Sequence, residues 1–384
     1  MRIIRFLPSF DNMYYIFVAI SLIIILVDSR DEKIKINLLG VLLIGICTLS
    51  ILVNEIPTFF RPWQRLILWI VMVLFSGPFI SNKCICYFRI RLFVYLQFAY
   101  IFIVLLSFIG KFTGLSHFQG PYFAGITGHS ILFGIIAANS LISMTFIIVN
   151  NIDKIKNRYK ITILILLFII NFLMILAAAS RSALIASIIG ILPILSVFFK
   201  NRASKGIAIM FTIIFIFLMM SPILSDYTIG IREKNHGQVT SLGFSSREEK
   251  WNECLRAFKS NPLLGVGFST VLVDENNEIG ANGQIETGSS WLGVLSMTGM
   301  LGCIAMMLLL MQVLWQLYSL YTKKNKYTWL LGGIFICYIL HMCSEGYIYA
   351  GGSVLCMNFW LTMGAISAFS KIHYIDLFPQ LRTL

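Results

Sequence analysis

Charged residues are scarce in this sequence. They make up 12% of its 384 residues, while 58% are hydrophobic, whereas a soluble domain carries roughly 25% charged and about 45–50% apolar residues. This balance excludes a soluble globular enzyme, a disordered protein and a secreted disulfide scaffold. At about 30 residues for a span and its connection, the length allows roughly a dozen membrane crossings. The sequence therefore predicts an all-α polytopic integral membrane protein.

Signatures of metal, nucleotide and nucleic-acid binding are also missing. Cys84 and Cys86 form a C-x-C pair with no second pair nearby, so no metal site is predicted. Gly265 and Gly267 lie outside any strand–helix–strand unit, which argues against a dinucleotide site. The net charge of +13 comes mostly from basic residues that flank apolar runs, where they orient helices. We expect no cofactor, no metal and no nucleic-acid partner.

Eleven apolar runs are long enough to cross a bilayer. They cover residues 13–27, 36–53, 66–82, 92–110, 130–149, 161–179, 182–199, 206–224, 291–320, 328–344 and 351–370. Basic residues cluster in alternate connections, which predicts that these connections are cytoplasmic. Eleven spans with a cytoplasmic C-terminus place Arg2 and Arg5 outside, against that rule. The alternative is a twelfth, weakly hydrophobic span near 54–65 or 112–128.

A polar segment at residues 225–290 separates two hydrophobic regions, 1–224 and 291–384. Because a loop of this length is longer than a connection requires, it is expected to be functional and external. The first region is predicted to hold the N-terminal spans, and the last to hold the C-terminal spans and a cytoplasmic tail. Within the segment, residues 246–260 predict an amphipathic helix with Trp251, Leu255 and Phe258 on one stripe.

Two arginines near the external face are candidates for anion binding. Arg181 lies in an Ala-Ser-Arg-Ser-Ala turn between two apolar runs, where an ionisable side chain is a functional candidate, although snorkelling to the interface also explains it. Arg247 lies near the start of the predicted helix, a position that attracts anions. An ion pair with a nearby glutamate is the alternative. A guanidinium binds phosphate oxygens bidentately.

Three side chains at the outer ends of the last spans are candidates for a general base. Glu286 precedes the ninth run, and His341 and Glu345 are four residues apart near the end of the tenth. That spacing places His341 and Glu345 on one helix face. The pair is therefore either catalytic or a mutually satisfied packing contact.

Two short polar stretches complete the candidate site. Gly265 and Gly267, within Asn261–Ser269, predict a tight turn that either returns the chain to the membrane or brings backbone amides to a ligand. Ser289 and Ser290 precede the ninth run and either cap its helix or belong to the substrate loop.

In their order along the chain, these motifs resemble those of bacterial O-antigen polymerases and O-antigen ligases. The resemblance rests on the Ala-Ser-Arg-Ser-Ala turn, the Arg-x-x-x-Trp motif at Arg247, the Asn-Pro-Leu-Leu-Gly-Val-Gly-Phe turn and the Trp291–Gly302 run. The stretch from His341 to Tyr347, with Phe359-Trp360-Leu361, is more similar to the polymerases.

The resemblance implies a GT-C-like fold and a metal-independent, inverting glycosyltransferase that uses a glycan on undecaprenyl diphosphate. It implies a location in the bacterial inner membrane, with the active site facing the periplasm. The implied partners are the lipid-linked oligosaccharide and the bilayer, with a chain-length regulator and a flippase as further candidates. By the same resemblance, Arg181 and Arg247 hold the diphosphate of the donor.

The sequence leaves two alternatives to a polymerase open. O-antigen ligases carry a histidine just before the ninth helix, where this sequence has Gly288, which disfavours a ligase. A transporter or lipid flippase predicts internal repeats and charges near the middle of the membrane. The sequence has no visible repeat, and most of its internal charges lie at the ends of spans.

Overall fold

The computed structural model describes residues 4–5, 13–28, 32–151, 158–199, 245–272, 283 and 285–372. The predicted eighth span at 206–224, the adjoining part of the polar segment up to residue 244 and the predicted tail after residue 372 lie outside the described residues.

Eleven α-helices form within the described ranges. They are α1 (Met13–Asp28), α2 (Leu38–Val53), α3 (Pro62–Ser76), α4 (Lys83–Thr113), α5 (Ser130–Asn151), α6 (Arg158–Ala177), α7 (Arg181–Phe199), α8 (Ser245–Ser260), α9 (Ser290–Thr322), α10 (Thr328–His341) and α11 (Val354–Lys371). Two antiparallel strand pairs are short: Lys35–Ile36 (β1) with Ile80–Ser81 (β2), and His117–Gln119 (β3) with Tyr122–Gly125 (β4).

The helices have the length and composition of membrane spans. Those long and apolar enough to cross a bilayer are Thr58–Ser76, Lys83–Thr113, Ser130–Asn151 and Ser290–Thr322. Shorter apolar helices in the described ranges are Tyr15–Val27, Leu38–Val53, Thr162–Ala177, Arg181–Ser196 and Thr328–His341. The predicted all-α polytopic class is confirmed, and the chain is a membrane protein.

One end of the bundle gathers basic residues, and we call it the basic end. The β1–β2 pair places Lys35 opposite Ser81, where α2 begins and α3 ends. The Lys371 ammonium at the end of α11 donates to the Ser81 hydroxyl at 2.8 Å. Lys323, after α9, donates to the Ser370 carbonyl at 3.2 Å. Alternate connections therefore meet at one end, as the spacing of their charges predicts.

The opposite end, which we call the site end, holds α8 and the N-terminal residues. Asn261, after α8, donates to Asn54, after α2, at 3.0 Å. The Arg5 amide donates to the Ile126 carbonyl at 2.8 Å, and Ile4 pairs with Thr127 beside the β3–β4 hairpin. The N-terminal segment and α8 thus lie at the same end, which requires an even number of crossings between them.

Neither candidate for a twelfth span crosses the bundle. Residues 54–65 contain a 3₁₀ turn at Thr58–Phe60 and the start of α3, where Pro62 occupies the first turn. Residues 112–128 complete α4 at Gly114, whose φ is +76°, and then form the β3–β4 hairpin. The prediction of an extra span in either segment is wrong, because each reverses direction through left-handed or extended backbone.

Arg89 explains why the fourth helix begins earlier than predicted. The charge pattern places Arg89 before the span at 92–110, yet α4 begins at Lys83 with Asn82 as its cap. Arg89 is 1% exposed, and its guanidinium donates to the carbonyls of Leu74, Phe75 and Ile80 at 2.6–3.0 Å. It therefore satisfies carbonyls at the C-terminal end of α3 from within a helix.

Candidate functional site

A cavity of about 730 Å³ opens at the site end of the bundle. Its walls come from α1, α3, the first turns of α9, Gly283, residues 285–287 and the loop of residues 342–353 that joins α10 to α11. Its polar and aromatic lining includes Tyr15, Arg65, Ser269, Glu286, Thr287, Ser290, Tyr347, Tyr349 and Ser353. The volume lies within the usual range for small-molecule sites, which is about 300–1,000 Å³.

Arg65 is a cavity residue that belongs to none of the sequence motifs described above. It lies in the first turn of α3 and is half-buried. Its Nη2 donates to the Gly283 carbonyl at 2.6 Å, and its Nη1 to the Ser269 hydroxyl at 3.4 Å. The available signal was an arginine at the external start of an apolar run, the same signal that selected Arg181.

Glu286 lines the same cavity. Its carboxylate forms an ion pair with Lys250 of α8, and its side chain remains 56% exposed. Of the three predicted general bases, Glu286 alone lines the cavity. Glu286 is therefore the predicted base that a sugar bound in the cavity is able to contact.

His341 and Glu345 do not share a helix face, and that prediction is wrong. Helix α10 ends at His341, and the following residues turn. His341 is fully buried, and its Nδ1 lies 3.2 Å from the Tyr347 hydroxyl. Glu345 instead pairs with Arg247 of α8 at 2.5 Å. Because the helix stops, each side chain acquires a different partner.

Ser289 and Ser290 anchor the start of α9 to the 342–353 loop. Ser289 occupies the N-cap position, but its hydroxyl donates to the Met342 carbonyl at 3.4 Å and makes no capping bond. The Ser290 hydroxyl donates to the Glu345 carbonyl at 2.7 Å and accepts from the Tyr347 amide at 2.9 Å. The capping prediction is therefore wrong, since both hydroxyls serve the loop instead.

Gly265 and Gly267 join the Asn261–Ser269 turn to a kink in α9. The amides of Gly265, Val266 and Gly267 donate to the carbonyls of Asn261, Ser296 and Met297 at 2.9–3.3 Å. Helix α9 is kinked at Gly299, whose φ is +62°. These amides are used within the protein, which favours the structural alternative over a ligand-binding turn.

Helix α8 packs over the start of α9 through Trp251 and Cys254. The Trp251 indole donates to the Gly288 carbonyl at 3.1 Å, and the Cys254 thiol to the Thr287 carbonyl at 3.7 Å. Leu255, which the predicted stripe included, is 40% exposed. The predicted helix is confirmed, but its buried face is rotated toward Cys254 and Ala257.

The two predicted phosphate-binding arginines lie at the site end, outside the lining of the cavity. Arg247 reaches Glu345, next to the cavity residue Gly346. Arg181 begins α7, which packs against α10 where Gly190 and Gly333 approach closely. Arg181 is nine residues before Gly190, and Met342 is nine after Gly333, so these antiparallel helices bring Arg181 level with the start of the 342–353 loop.

Residues 165–307 match a family model described as O-antigen ligase. This part of the chain is therefore similar to the O-antigen polymerase and ligase family. It covers less than half of the chain, and no curated protein matches the sequence. The matched range contains the predicted site residues from Arg181 to Ser290, whereas Arg65, His341 and Glu345 lie outside it.

Proteins of that family are glycosyltransferase-like enzymes that act on lipid-linked sugar substrates in a membrane. The family includes both polymerases and ligases, so the match does not separate the two. Among the residues that the structure describes, no three His, Cys, Asp or Glu side chains are grouped as metal ligands.

Proposed function

We propose that this protein is an O-antigen polymerase of the bacterial inner membrane. It transfers a glycan from undecaprenyl diphosphate to the acceptor sugar of a second lipid-linked repeat unit. The observation that carries this proposal is the cavity at the site end, where a carboxylate, an arginine and several hydroxyl and aromatic side chains converge beside α8. The family match supplies the class of reaction, and the positively charged connections at the opposite end support a periplasmic site.

Glu286 is the general base in this proposal. An acceptor hydroxyl attacks the anomeric carbon, its proton passes to the Glu286 carboxylate, and the bond from that carbon to the diphosphate oxygen breaks with inversion. The electron pair leaves on the diphosphate. The ion pair with Lys250 fixes the position of the Glu286 carboxylate at the cavity wall. His341 is fully buried and Glu345 is paired with Arg247, so we assign both to positioning.

Arg181 and Arg247 hold the donor diphosphate. Negative charge grows on the phosphate oxygens as the glycosyl bond breaks, and fixed guanidinium groups stabilise that charge best in a partly dry site. The Glu345 carboxylate orients Arg247 by accepting a hydrogen bond from its Nη2 atom. The other N–H groups of the Arg247 guanidinium are left for phosphate. Because the donor is already activated, the reaction needs neither a metal nor a nucleotide.

Gly288 supports a polymerase over a ligase. Its φ is +63°, and a Cβ atom built there lies 3.3 Å from Lys250 Cβ and 3.4 Å from the Trp251 ring. A histidine at this position would be strained by the backbone and crowded by α8. This backbone therefore favours glycine over the histidine that the resemblance associates with ligases.

The surface polysaccharide of a deletion strain tests the proposed reaction. A polymerase deletion leaves single repeat units on the lipid A core. Polymer that stays on its lipid carrier beside bare core would instead assign a ligase, and the absence of any exported unit would assign a flippase.

Complementation of the deletion strain tests the base. Glu286→Gln is expected to abolish the polymer ladder at normal membrane abundance, because only the proton acceptor is lost. Glu249→Gln is the matched control, since Glu249 is an exposed carboxylate on α8 outside the cavity lining. A normal ladder with Glu286→Gln would refute this assignment.

A further inference from the structure

Arg65 leaves a positive charge in the cavity that no described carboxylate neutralises. The described ion pairs join Arg247 to Glu345 and Lys250 to Glu286. Within the described ranges, the Arg65 guanidinium donates to the Ser269 hydroxyl and the Gly283 carbonyl, and it lies close enough to Tyr15 to interact with it electrostatically. Because Lys250 offsets the charge of Glu286, the balance of charge on the cavity wall is set by Arg65. Among the residues that the structure describes, Arg65 therefore has no carboxylate counter-ion, and a half-buried charge is costly unless a counter-ion is supplied, as a ligand would do.

The guanidinium of Arg65 has donors to spare. An arginine carries five N–H groups, and the contacts to Ser269 and Gly283 use one on each Nη atom. Nε and one N–H on each Nη atom remain available. This arrangement suits a planar, bidentate acceptor such as a carboxylate.

The rest of the lining suits a sugar. Tyr15, Thr287 and Ser353 bring hydroxyl groups to the wall, and Tyr347 and Tyr349 contribute aromatic rings. A single guanidinium balances the single charge of a carboxylate, whereas a diphosphate carries more charge than Arg65 offsets. The cavity is thus complementary to a glycan with one acidic group.

We propose that the cavity binds a repeat unit that contains an acidic sugar, and that Arg65 pairs with its carboxylate. This inference rests on the proposed function, because it names the class of acceptor glycan that the cavity receives. Arg65 is then a residue that determines specificity, while Glu286 performs the proton transfer on the same bound sugar.

The test measures binding rather than transfer. The probe is the repeat-unit oligosaccharide released by hydrolysis from the cell's own surface polysaccharide, so it carries neither lipid nor phosphate. It is used in its native form and after reduction of its carboxyl groups to alcohols. Affinities are measured for the purified full-length protein in lipid nanodiscs, with inorganic pyrophosphate as a second probe for a phosphate site.

The wild-type protein is expected to bind the native oligosaccharide about tenfold or more tightly than the reduced one, the usual size of a hydrogen-bonded charge contact. Arg65→Gln is expected to bind the native and the reduced oligosaccharide with equal affinity. Arg65→Lys is expected to show a smaller difference between the two affinities than the wild type, because lysine lacks the planar guanidinium. Arg61→Gln, four residues earlier and exposed outside the cavity lining, is the control and should behave as the wild type.

Three results would overturn the inference: a repeat unit without a carboxyl group, equal wild-type affinity for both forms, or discrimination that persists in Arg65→Gln. Pyrophosphate binding that depends on Arg65 would also overturn it and assign a phosphate site. A failure of the proposed polymerase reaction is seen separately, as an unchanged ladder in the deletion strain.

Discussion

Replacing Gly265 by alanine tests how tightly the Asn261–Ser269 turn is pressed against α9. Gly265 has a φ of +69°, and a Cβ atom built on it lies 2.5 Å from the Met297 carbonyl carbon and 2.5 Å from the Ser296 carbonyl oxygen. These are backbone atoms of a helix, so they cannot move aside as the end of a flexible side chain would. The added methyl group therefore forces the turn and α9 apart.

Gly114 provides a matched control for the backbone conformation. Its φ is +76°, and no atom lies within 4 Å of a Cβ atom built there. Gly114→Ala therefore adds only the left-handed strain, roughly 1–2 kcal/mol. Gly265→Ala adds the same strain and a steric term of about 1–3 kcal/mol, which gives roughly 2–5 kcal/mol in total.

The assay is the fraction of folded, monodisperse protein after heating in detergent, followed by size-exclusion chromatography. Gly265→Ala is expected to lower the midpoint temperature clearly more than Gly114→Ala. The difference of about 1–3 kcal/mol corresponds to a change of roughly fivefold or more in the unfolding equilibrium. Equal midpoints for the two variants would refute the close contact between the turn and α9.

Three further variants or treatments have defined outcomes. Arg89→Leu removes the donor to three carbonyls near the end of α3. It is expected to lower the thermal midpoint by the equivalent of about 3 kcal/mol or more. Arg91→Leu, on the same helix, is the control, and an equal loss of stability in both variants would contradict the capping role of Arg89. Tyr347→Phe removes the hydroxyl beside His341 Nδ1 and should cost about 1–3 kcal/mol by the same thermal assay, whereas an unchanged midpoint would exclude that contact. Cys254 is buried, and burial raises the pKa of its thiol to about 11. A maleimide at pH 8 should therefore label Cys254 only after denaturation. Rapid labelling of Cys254 in the folded protein would contradict the packing of α8 on the start of α9.

The membrane helices follow from the sequence because apolar length alone specifies them. Ten of the eleven predicted runs coincide with helices, and the eleventh lies outside the described residues. In a bilayer the backbone must satisfy its own hydrogen bonds, so a long apolar run has little choice other than a helix. The amphipathic α8 and the glycine turn after it are also local patterns, and the sequence predicts both.

The ends of helices and the partners of charges depend on tertiary contacts. The sequence around Met342 contains no proline or glycine to stop a helix before Glu345, yet α10 ends at His341, and the Met342 and Glu345 carbonyls beyond it accept hydrogen bonds from Ser289 and Ser290. The sequence pattern around Arg89 is typical of a charge at a membrane surface. In the structure Arg89 is instead a buried residue of α4, because three carbonyls at and after the end of α3 accept hydrogen bonds from its guanidinium.

By itself the sequence determined the class of protein, the spans, the side on which basic connections gather and the region of the candidate site. Only the tertiary structure decided which candidate side chains share a cavity. Arg65, Glu286 and Tyr347 meet there from α3, the approach to α9 and the 342–353 loop, across more than 200 positions of sequence. Local periodicity reports the environment of one helix, whereas a cavity is formed by how distant helices pack, and no local pattern records that packing.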